Sequence, residues 1–330
     1  MKHILVTGGA GYIGSHATLR LLELDHKITV VDDLSNGWQS AIDALSKVGD
    51  LTFIECRCGD YDKMMDLMSD HQIDLVMHFA AFAAVNESVK EPLMYYENNT
   101  GNSLSLLRAM MDSGVNNMVF SSTCATYGLP TPDQMPLTED CPQKPISPYG
   151  WSKLWFEQAL SQCTKANPSF ACTALRYFNV AGCDPQGRVG EHHIPETHLI
   201  PICLEVAKGK RDDIKIFGSD YDTPDGTCIR DYVHVDDLIA AHLLAMKHLE
   251  PGVMQTFNVG IGRGYSVMEV IESCRRVTGH AIPAVSHERR QGDPDMLYND
   301  PSKIQKAFNW KPKYEELDAI VATAWHEMNL

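Results

Sequence analysis

The feature that most constrains this chain is a glycine-rich turn that begins at residue eight. A short apolar run, His3-Ile4-Leu5-Val6-Thr7, breaks directly into Gly8-Gly9-Ala10-Gly11-Tyr12-Ile13-Gly14. The stretch satisfies G-x-G-x-x-G from Gly9 and G-x-x-G-x-x-G from Gly8. Glycines allow a tight strand-to-helix turn and let backbone N–H groups approach a pyrophosphate. The helix that follows turns its positive N-terminus toward the same charge. A second β-branched run ends in Val30-Val31-Asp32, 18 residues past Gly14. A carboxylate there accepts hydrogen bonds from an adenosine ribose and repels a 2′-phosphate, which selects NAD over NADP. Asp60, after a third such run, is placed either to read an adenine edge or to cap the next helix.

Strands are predicted over 3–7, 27–32, 51–55, 75–80, 118–122 and 171–176, with helices over 13–24, 61–71, 98–113 and 148–166. Strands alternating with helices indicate an α/β fold: a Rossmann-type doubly wound parallel sheet. After about residue 180 the alternation fades and Gly, Pro and Asp thicken. Residues 1–180 therefore read as an NAD-binding domain, with a return of about 234–260, and 181–330 mainly as a smaller α/β substrate domain. A chain of 330 residues suits about two domains. The formal charge of −15 argues against nucleic acid or an anionic membrane as partner. No apolar stretch has the length of a membrane span, and the N-terminus lacks a signal-peptide pattern, so the chain is expected in the cytoplasm. None of the ten cysteines is spaced C-x-x-C, so they read as free thiols and no metal is expected.

A second motif is Ser147-Pro148-Tyr149-Gly150-Trp151-Ser152-Lys153. Ser147 suits a helix N-cap and Pro148 the first helical position. Tyr149 and Lys153 then share one helix face. An ammonium beside a phenol stabilises the phenolate and lowers its pKa toward working pH, as a general base requires. The preceding strand ends Phe120-Ser121-Ser122-Thr123. It places a hydroxyl at the carboxyl edge of the sheet, where such folds bind ligands.

Taken together, the T-G-x-x-G-x-x-G start, the hydroxyl at the strand end and Tyr-x-x-x-Lys resemble the extended short-chain dehydrogenase/reductase family over nearly the whole chain. Further stretches are similar to the branch that epimerises UDP-galactose at carbon 4. They are Ala84-Val85-Asn86-Glu87-Ser88-Val89, Tyr95-Tyr96-Glu97-Asn98-Asn99, Leu175-Arg176-Tyr177-Phe178-Asn179, Arg230-Asp231-Tyr232-Val233-His234 and Arg289-Arg290-Gln291-Gly292-Asp293. The resemblance implies a catalytic Tyr149, Lys153 and Thr123. It implies NAD contacts from Gly8, Gly11, Tyr12, Ile13, Gly14, Asp32, Asn36, Asp60, Tyr61, Phe79, Ala80, Ala81, Asn98, Ser121, Tyr177 and Phe178, together with Tyr149 and Lys153. It implies UDP-sugar contacts from Asn179, His198, Leu199, Phe217, Arg230, Arg290, Asp293 and Leu297, with Thr123. Two arginines from distant segments suit a diphosphate, and a carboxylate suits a ribose hydroxyl. A homodimer through two helices packed as a four-helix bundle is also implied.

The implied reaction runs through a transient 4-keto sugar, with NAD regenerated each turn. Both UDP-galactose/UDP-glucose and the N-acetylated pair are candidates. Two alternatives remain. A nucleotide-sugar 4,6-dehydratase needs an acidic pair after the strand-end hydroxyl, where this chain has Cys124 and Ala125. A non-catalytic NAD-sensing regulator has no need of the Tyr149–Lys153 pair. Three departures stand out: Ala83 where the family often has a lysine, His198 where an amide is common, and Leu297 where some relatives carry tyrosine.

Overall fold

Runs of β-branched and apolar residues make strands whose two faces are both sealed, as a parallel sheet under helices requires. The computed structural model describes residues 1–290 and 292–330; Gln291 lies outside the described residues. The chain begins β1 (His3–Thr7), α1 (Tyr12–Glu23), β2 (Lys27–Asp32), α2 (Gln39–Leu45), β3 (Leu51–Glu55), α3 (Tyr61–His71) and β4 (Leu75–His78). It continues through α4 (Val85–Lys90), α5 (Pro92–Tyr95), α6 (Asn102–Ser113), β5 (Asn117–Thr123), α7 (Pro148–Ala166) and β6 (Ala171–Tyr177). Then follow β7 (Asn179–Ala181), α8 (Leu199–Ala207), β8 (Ile214–Phe217), β9 (Ile229–His234), α9 (Val235–Lys247) and β10 (Met254–Val259). The last elements are β11 (Gly264–Ser266), α10 (Val267–Thr278), β12 (Ala284–His287), β13 (Met296–Leu297), α11 (Ser302–Phe308) and α12 (Leu317–Met328).

A seven-stranded sheet runs β10-β6-β5-β4-β1-β2-β3, the α/β Rossmann-type arrangement expected. Parallel partners flank β1 on both sides, β2 and β4. Strand order reverses there, which makes the carboxyl ends of β1 and β4 the switch point for a dinucleotide. The helix expected over 98–113 starts later, at Asn102, because Tyr96–Gly101 is wound as a π-turn. Within that turn the buried Asn99 accepts from the Phe82 N–H (2.8 Å) and donates to the Phe82 carbonyl (2.9 Å) and Ser152 Oγ (3.1 Å). Such one-turn bulges concentrate at functional sites.

The chain divides into two compact units: Met1–Gly128, Gln143–Arg176 and Ile239–Phe257 in the first, and Leu129–Pro142, Tyr177–Leu238 and Asn258–Leu330 in the second. Leu129–Pro142 groups with the second unit because it is tied there locally. Leu137 N–H donates to the Tyr298 carbonyl and its own carbonyl accepts from Asn258 Nδ2. The first unit's core joins Leu5, Val76, Phe120, Phe156 and Phe170. The second unit has a core of its own around Ile200, Leu204, Tyr232, Ile271 and Ile320. Its sheet holds β11, β9 and β13, with β7 also paired to β9, beside a separate β12–β8 pair. The ten cysteines are free.

Candidate active site

The glycine turn is fixed by close backbone packing. Gly8 has φ +73°, and a Cβ there would lie 2.6 Å from the Ala80 nitrogen. A Cβ on Gly14 would lie 2.1 Å from the Gly8 carbonyl oxygen. Gly11 differs: a Cβ would meet only that same oxygen, at an ordinary 3.4 Å. The protein's own packing leaves room at Gly11, on the rim of a bare helix N-terminus that no side chain caps. The N–H groups of a helix's first turn, behind a surface without side chains, fit a pyrophosphate. Asp32 closes the turn from β2. Its carboxylate accepts from the N–H of Ala10 (3.0 Å) and of Leu34 (2.9 Å). Burial pushes its pKa up, with those two N–H groups pulling against the shift. An anchored carboxylate at this end of β2 fits a ribose diol, so the residues present fit NAD.

Most of the other positions assigned to the dinucleotide lie in the same unit. The Phe79 and Ala80 N–H groups both donate to the Thr7 carbonyl, joining the ends of β1 and β4. Tyr12 and Ile13 form the first turn of α1, and the Tyr12 carbonyl accepts from Ser15 Oγ (2.9 Å). Ala81 follows Ala80, half-buried, and Asn36 is exposed in the loop after β2. Asn98 accepts from Asn102 Nδ2 at 3.2 Å. Asp60 caps α3, accepting from the Lys63 N–H at 3.3 Å. Tyr61 donates its hydroxyl to Asp112 at 2.8 Å. Tyr177 and Phe178 are buried in the second unit.

Thr123, Tyr149 and Lys153 come together at the end of β5. Thr123 Oγ1 accepts from the Ala125 N–H (3.1 Å) and hydrogen-bonds the Tyr149 hydroxyl. Ser147 caps α7 and Pro148 opens it, which sets Tyr149 and Lys153 one turn apart. Lys153 Nζ donates to the Ser121 carbonyl at 2.8 Å and lies 5.0 Å from the centre of the Phe120 ring. The lowered phenol pKa expected from the neighbouring ammonium is not what this site has. Burial pushes Tyr149 up to about 12, against the pull of Thr123. Burial likewise pulls Lys153 down to about 7. The lysine's head is held by a strand carbonyl, so desolvation dominates both groups.

A buried network that the sequence reading missed underlies this pair. Glu157, one turn beyond Lys153, binds Arg176 of β6 through two bonds of 3.0 and 2.7 Å. Ser122 donates to the same carboxylate, and Arg176 reaches the Tyr127 hydroxyl at 2.8 Å. The signal was a charged residue in the middle of an apolar strand, Arg176, which demands a buried partner.

In the second unit, Arg230 donates to Asp293 at 3.0 Å, and Leu297 of β13 stands in register with Arg230 of β9. The Arg290 guanidinium lies 3.9 Å from the centre of the Phe217 ring. Asn179, in register with Tyr232, hydrogen-bonds its hydroxyl. His198 precedes Leu199, the first residue of α8, and its ring lies 3.0 Å from Glu196 and 3.1 Å from Glu191. Burial works against the charged ring, but those two carboxylates outweigh it and hold His198 up at about 10.

The parallel sheet, the glycine turn and the Tyr149–Lys153 helix define a dinucleotide-dependent Rossmann-type protein. The chain belongs to the NAD dependent epimerase/dehydratase family, which it matches over residues 4–260. The resemblance to extended short-chain dehydrogenases/reductases is thereby borne out. A UDP-glucose 4-epimerase of Halalkalibacterium halodurans is 49% identical over 326 residues, 98% of this chain and 94% of that protein. Among solved structures, the UDP-glucose 4-epimerase of Stenotrophomonas maltophila, with bound NAD and formylated UDP-arabinopyranose, superposes with a TM-score of 0.95 at 36% identity, over 100% of this chain and 98% of that one. The UDP-Glc/GlcNAc 4-epimerase of Campylobacter jejuni gives 0.86 at 44% identity, with both chains covered in full.

Proposed function

We propose that this chain inverts carbon 4 of UDP-sugars, interconverting UDP-galactose and UDP-glucose, with NAD as a resident cofactor. The observation that carries the reading is the Thr123–Tyr149–Lys153 group at the sheet's carboxyl edge in a chain 49% identical to a UDP-glucose 4-epimerase. When bound, NAD accepts the hydride from carbon 4 and returns it to the opposite face. Gly8, Gly11, Tyr12, Ile13 and Gly14 hold the pyrophosphate; Asp32 and Asn36 hold the adenosine ribose. Asp60, Tyr61, Phe79, Ala80 and Ala81 line the adenine side, and Asn98, Ser121, Tyr177 and Phe178 complete the cofactor's contacts.

Tyr149 takes the proton of the sugar 4-hydroxyl and gives it back, oriented by its bond to Thr123. A phenol at about 12 needs added positive charge to work near neutral pH, and Lys153 is the chain's own source. Arg230 and Arg290 grip the diphosphate while the sugar turns, and binding exchanges the Arg230–Asp293 ion pair for bonds to the ligand. Asn179, His198, Leu199 and Phe217 position the nucleotide, and Asp293 accepts a ribose hydroxyl. Elimination of water has no acidic pair here, since Cys124 and Ala125 occupy the turn after Thr123.

No helix among the described residues is long and apolar enough to cross a membrane; we place the protein in the cytoplasm. A homodimer fits the apolar surface of α7, where Trp151 and Trp155 are 37% and 42% exposed. The test is conversion of UDP-galactose by the purified chain, with no added nicotinamide, read by coupled oxidation of UDP-glucose. Turnover without additions is expected, and NAD should be released when the protein is denatured. No conversion, or conversion only with added NADP, overturns the reading.

A further inference from the structure

Within the first unit, a buried chain of hydrogen bonds runs from the strand of the glycine turn to the helix of Tyr149. Thr7 ends β1 and His78 ends β4. Thr7 Oγ1 lies 2.6 Å from His78 Nδ1, and His78 Nε2 lies 2.7 Å from Ser103 Oγ of α6. Ser103 Oγ also bonds the Asn99 carbonyl. Asn99 Nδ2 then reaches Ser152 Oγ at 3.1 Å, and Ser152 Oγ reaches the Tyr149 carbonyl at 2.7 Å. Thr7, His78, Asn99, Ser103 and Ser152 are each at most 2% exposed. A carbonyl only accepts, so Ser103 directs its one proton at Asn99 and must accept from His78. His78 therefore carries its proton on Nε2, and Nδ1 accepts from Thr7. The same rule makes Ser152 donate to Tyr149 and accept from Asn99. We propose that His78, held as the neutral Nε2–H tautomer, is a positioning residue that ties the placement of the cofactor turn to that of the helix carrying Tyr149. The inference rests on the reading of Tyr149 as the base.

The surroundings require a neutral ring at this place. Phe120 stacks on the His78 imidazole, 5.7 Å between centres and 26° between planes, and Phe156 meets it edge-on at 5.7 Å. Burial pulls the His78 pKa down to about 3, and the Lys153 charge adds to the shift. The same Phe120 ring lies 5.0 Å from Lys153 Nζ. A charged group in place of His78 would oppose the ammonium that supports the Tyr149 phenolate. A neutral imidazole offers one donor and one acceptor without that repulsion. Both ends of the chain touch the parts it joins. Thr7 holds the end of β4 a second time, its carbonyl accepting from Phe79 and Ala80, and a Cβ on Gly8 would lie 2.6 Å from the Ala80 nitrogen. At the far end the accepting carbonyl belongs to Tyr149 itself, and the π-turn Tyr96–Gly101 brings the Asn99 amide to α7. Misplacing a reacting group by about 1 Å costs up to about 10²-fold in rate, so a chain that fixes Tyr149 against the cofactor turn acts on turnover.

The test uses the full chain as purified, ¹⁵N-labelled at histidine, in long-range ¹H–¹⁵N spectra. The ring signals that vanish in His78→Gln belong to His78. A bare Nδ1 and a protonated Nε2 are expected, unchanged from about pH 5 to about pH 8, where an ordinary histidine titrates. Steady-state kinetics supply the second readout. His78→Leu should lower kcat for UDP-galactose about 10–100-fold with KM nearly unchanged. His78→Gln, which keeps a donor toward Ser103, should recover most of that loss. Thermal melts confirm that each variant folds. If His78→Leu does not, Ser103→Ala breaks the same chain at one hydroxyl and should lower kcat in the same way. Turnover by the parent tests the reading of the reaction; the tautomer and the ratio of variant to parent kcat test His78. A proton on Nδ1, a ring that titrates across that range, or folded variants with parental kcat would each overturn the inference.

Discussion

The glycine turn after β1 and the arginine-bearing segments of the second unit are assigned to parts of one reaction, yet they are built in opposite ways. The turn is made of backbone. Its tolerances come from Cβ positions that would fall 2.1 Å from the Gly8 carbonyl or 2.6 Å from the Ala80 nitrogen. The proposed grip is made of side chains that have other partners meanwhile: Arg230 on Asp293 and Arg290 over Phe217. A backbone site is rigid before its ligand arrives and loses function by steric damage. A side-chain site must exchange one set of partners for another, and loses affinity in increments.

The largest effect should come from Tyr149→Phe, which touches neither construction. Loss of a general base costs about 10²–10⁴-fold in turnover, with a cooperative melt showing that the variant still folds. Thr123→Ala should cost one charge-assisted hydrogen bond, about 1.5–3 kcal/mol. A Tyr149→Phe enzyme of near-normal rate would end the proposed mechanism.

Next in size is the steric test of the turn. Gly14→Ala should destabilise the fold by about 1–3 kcal/mol and strip NAD from the purified protein. Gly11→Ala should leave the melting temperature nearly unchanged while still reducing NAD content, because only the ligand needs that space. Equal loss of stability in both variants would erase the distinction between packing and binding glycines.

Burial of Lys153 gives a pH signature. The unfolded lysine keeps its proton to about its ordinary 10.5, whereas the folded one releases it near 7. Between those values the unfolded chain binds more protons, so this residue's contribution to stability rises with pH. Lys153→Met should therefore melt higher than the parent at pH 6, by an amount on the order of 1–3 kcal/mol. The gap should narrow steadily toward pH 10. A gap that is flat across that range would show that the lysine keeps its charge in the fold.

The side-chain region gives smaller, graded effects. Arg230→Met should raise KM for UDP-galactose about 10–100-fold, the equivalent of one charged hydrogen bond, with NAD content unmoved. The smallest change belongs to Leu297→Tyr. Beside Arg230 in the register of β9 and β13, a larger ring should depress turnover of N-acetylated UDP-sugars while largely sparing UDP-galactose. Equal losses on both substrates would mean general damage, and no loss would remove Leu297 as the determinant.

What could be read in the sequence follows the same division. The strand, glycine turn, helix and Asp32 lie within 30 residues and act through local geometry, so spacing alone located them. The Tyr149–Lys153 pair is likewise one helical turn, and its N-cap was legible in Ser147-Pro148. Cys124 and Ala125 disfavoured elimination by departing from the acidic pair that resemblance to dehydratases would require. Tertiary structure decided the electrostatics and the partners. Tyr149 and Lys153 are shifted by desolvation, which depends on what the rest of the unit packs over them, and the Ser121 carbonyl that holds Lys153 lies 32 residues away. Glu157 and Arg176 become an ion pair only when α7 packs on β6. Asp293 meets Arg230 across 63 residues of chain. Periodicity and spacing describe neighbours along the chain, but dielectric surroundings and long-range pairing exist only once the chain has closed on itself.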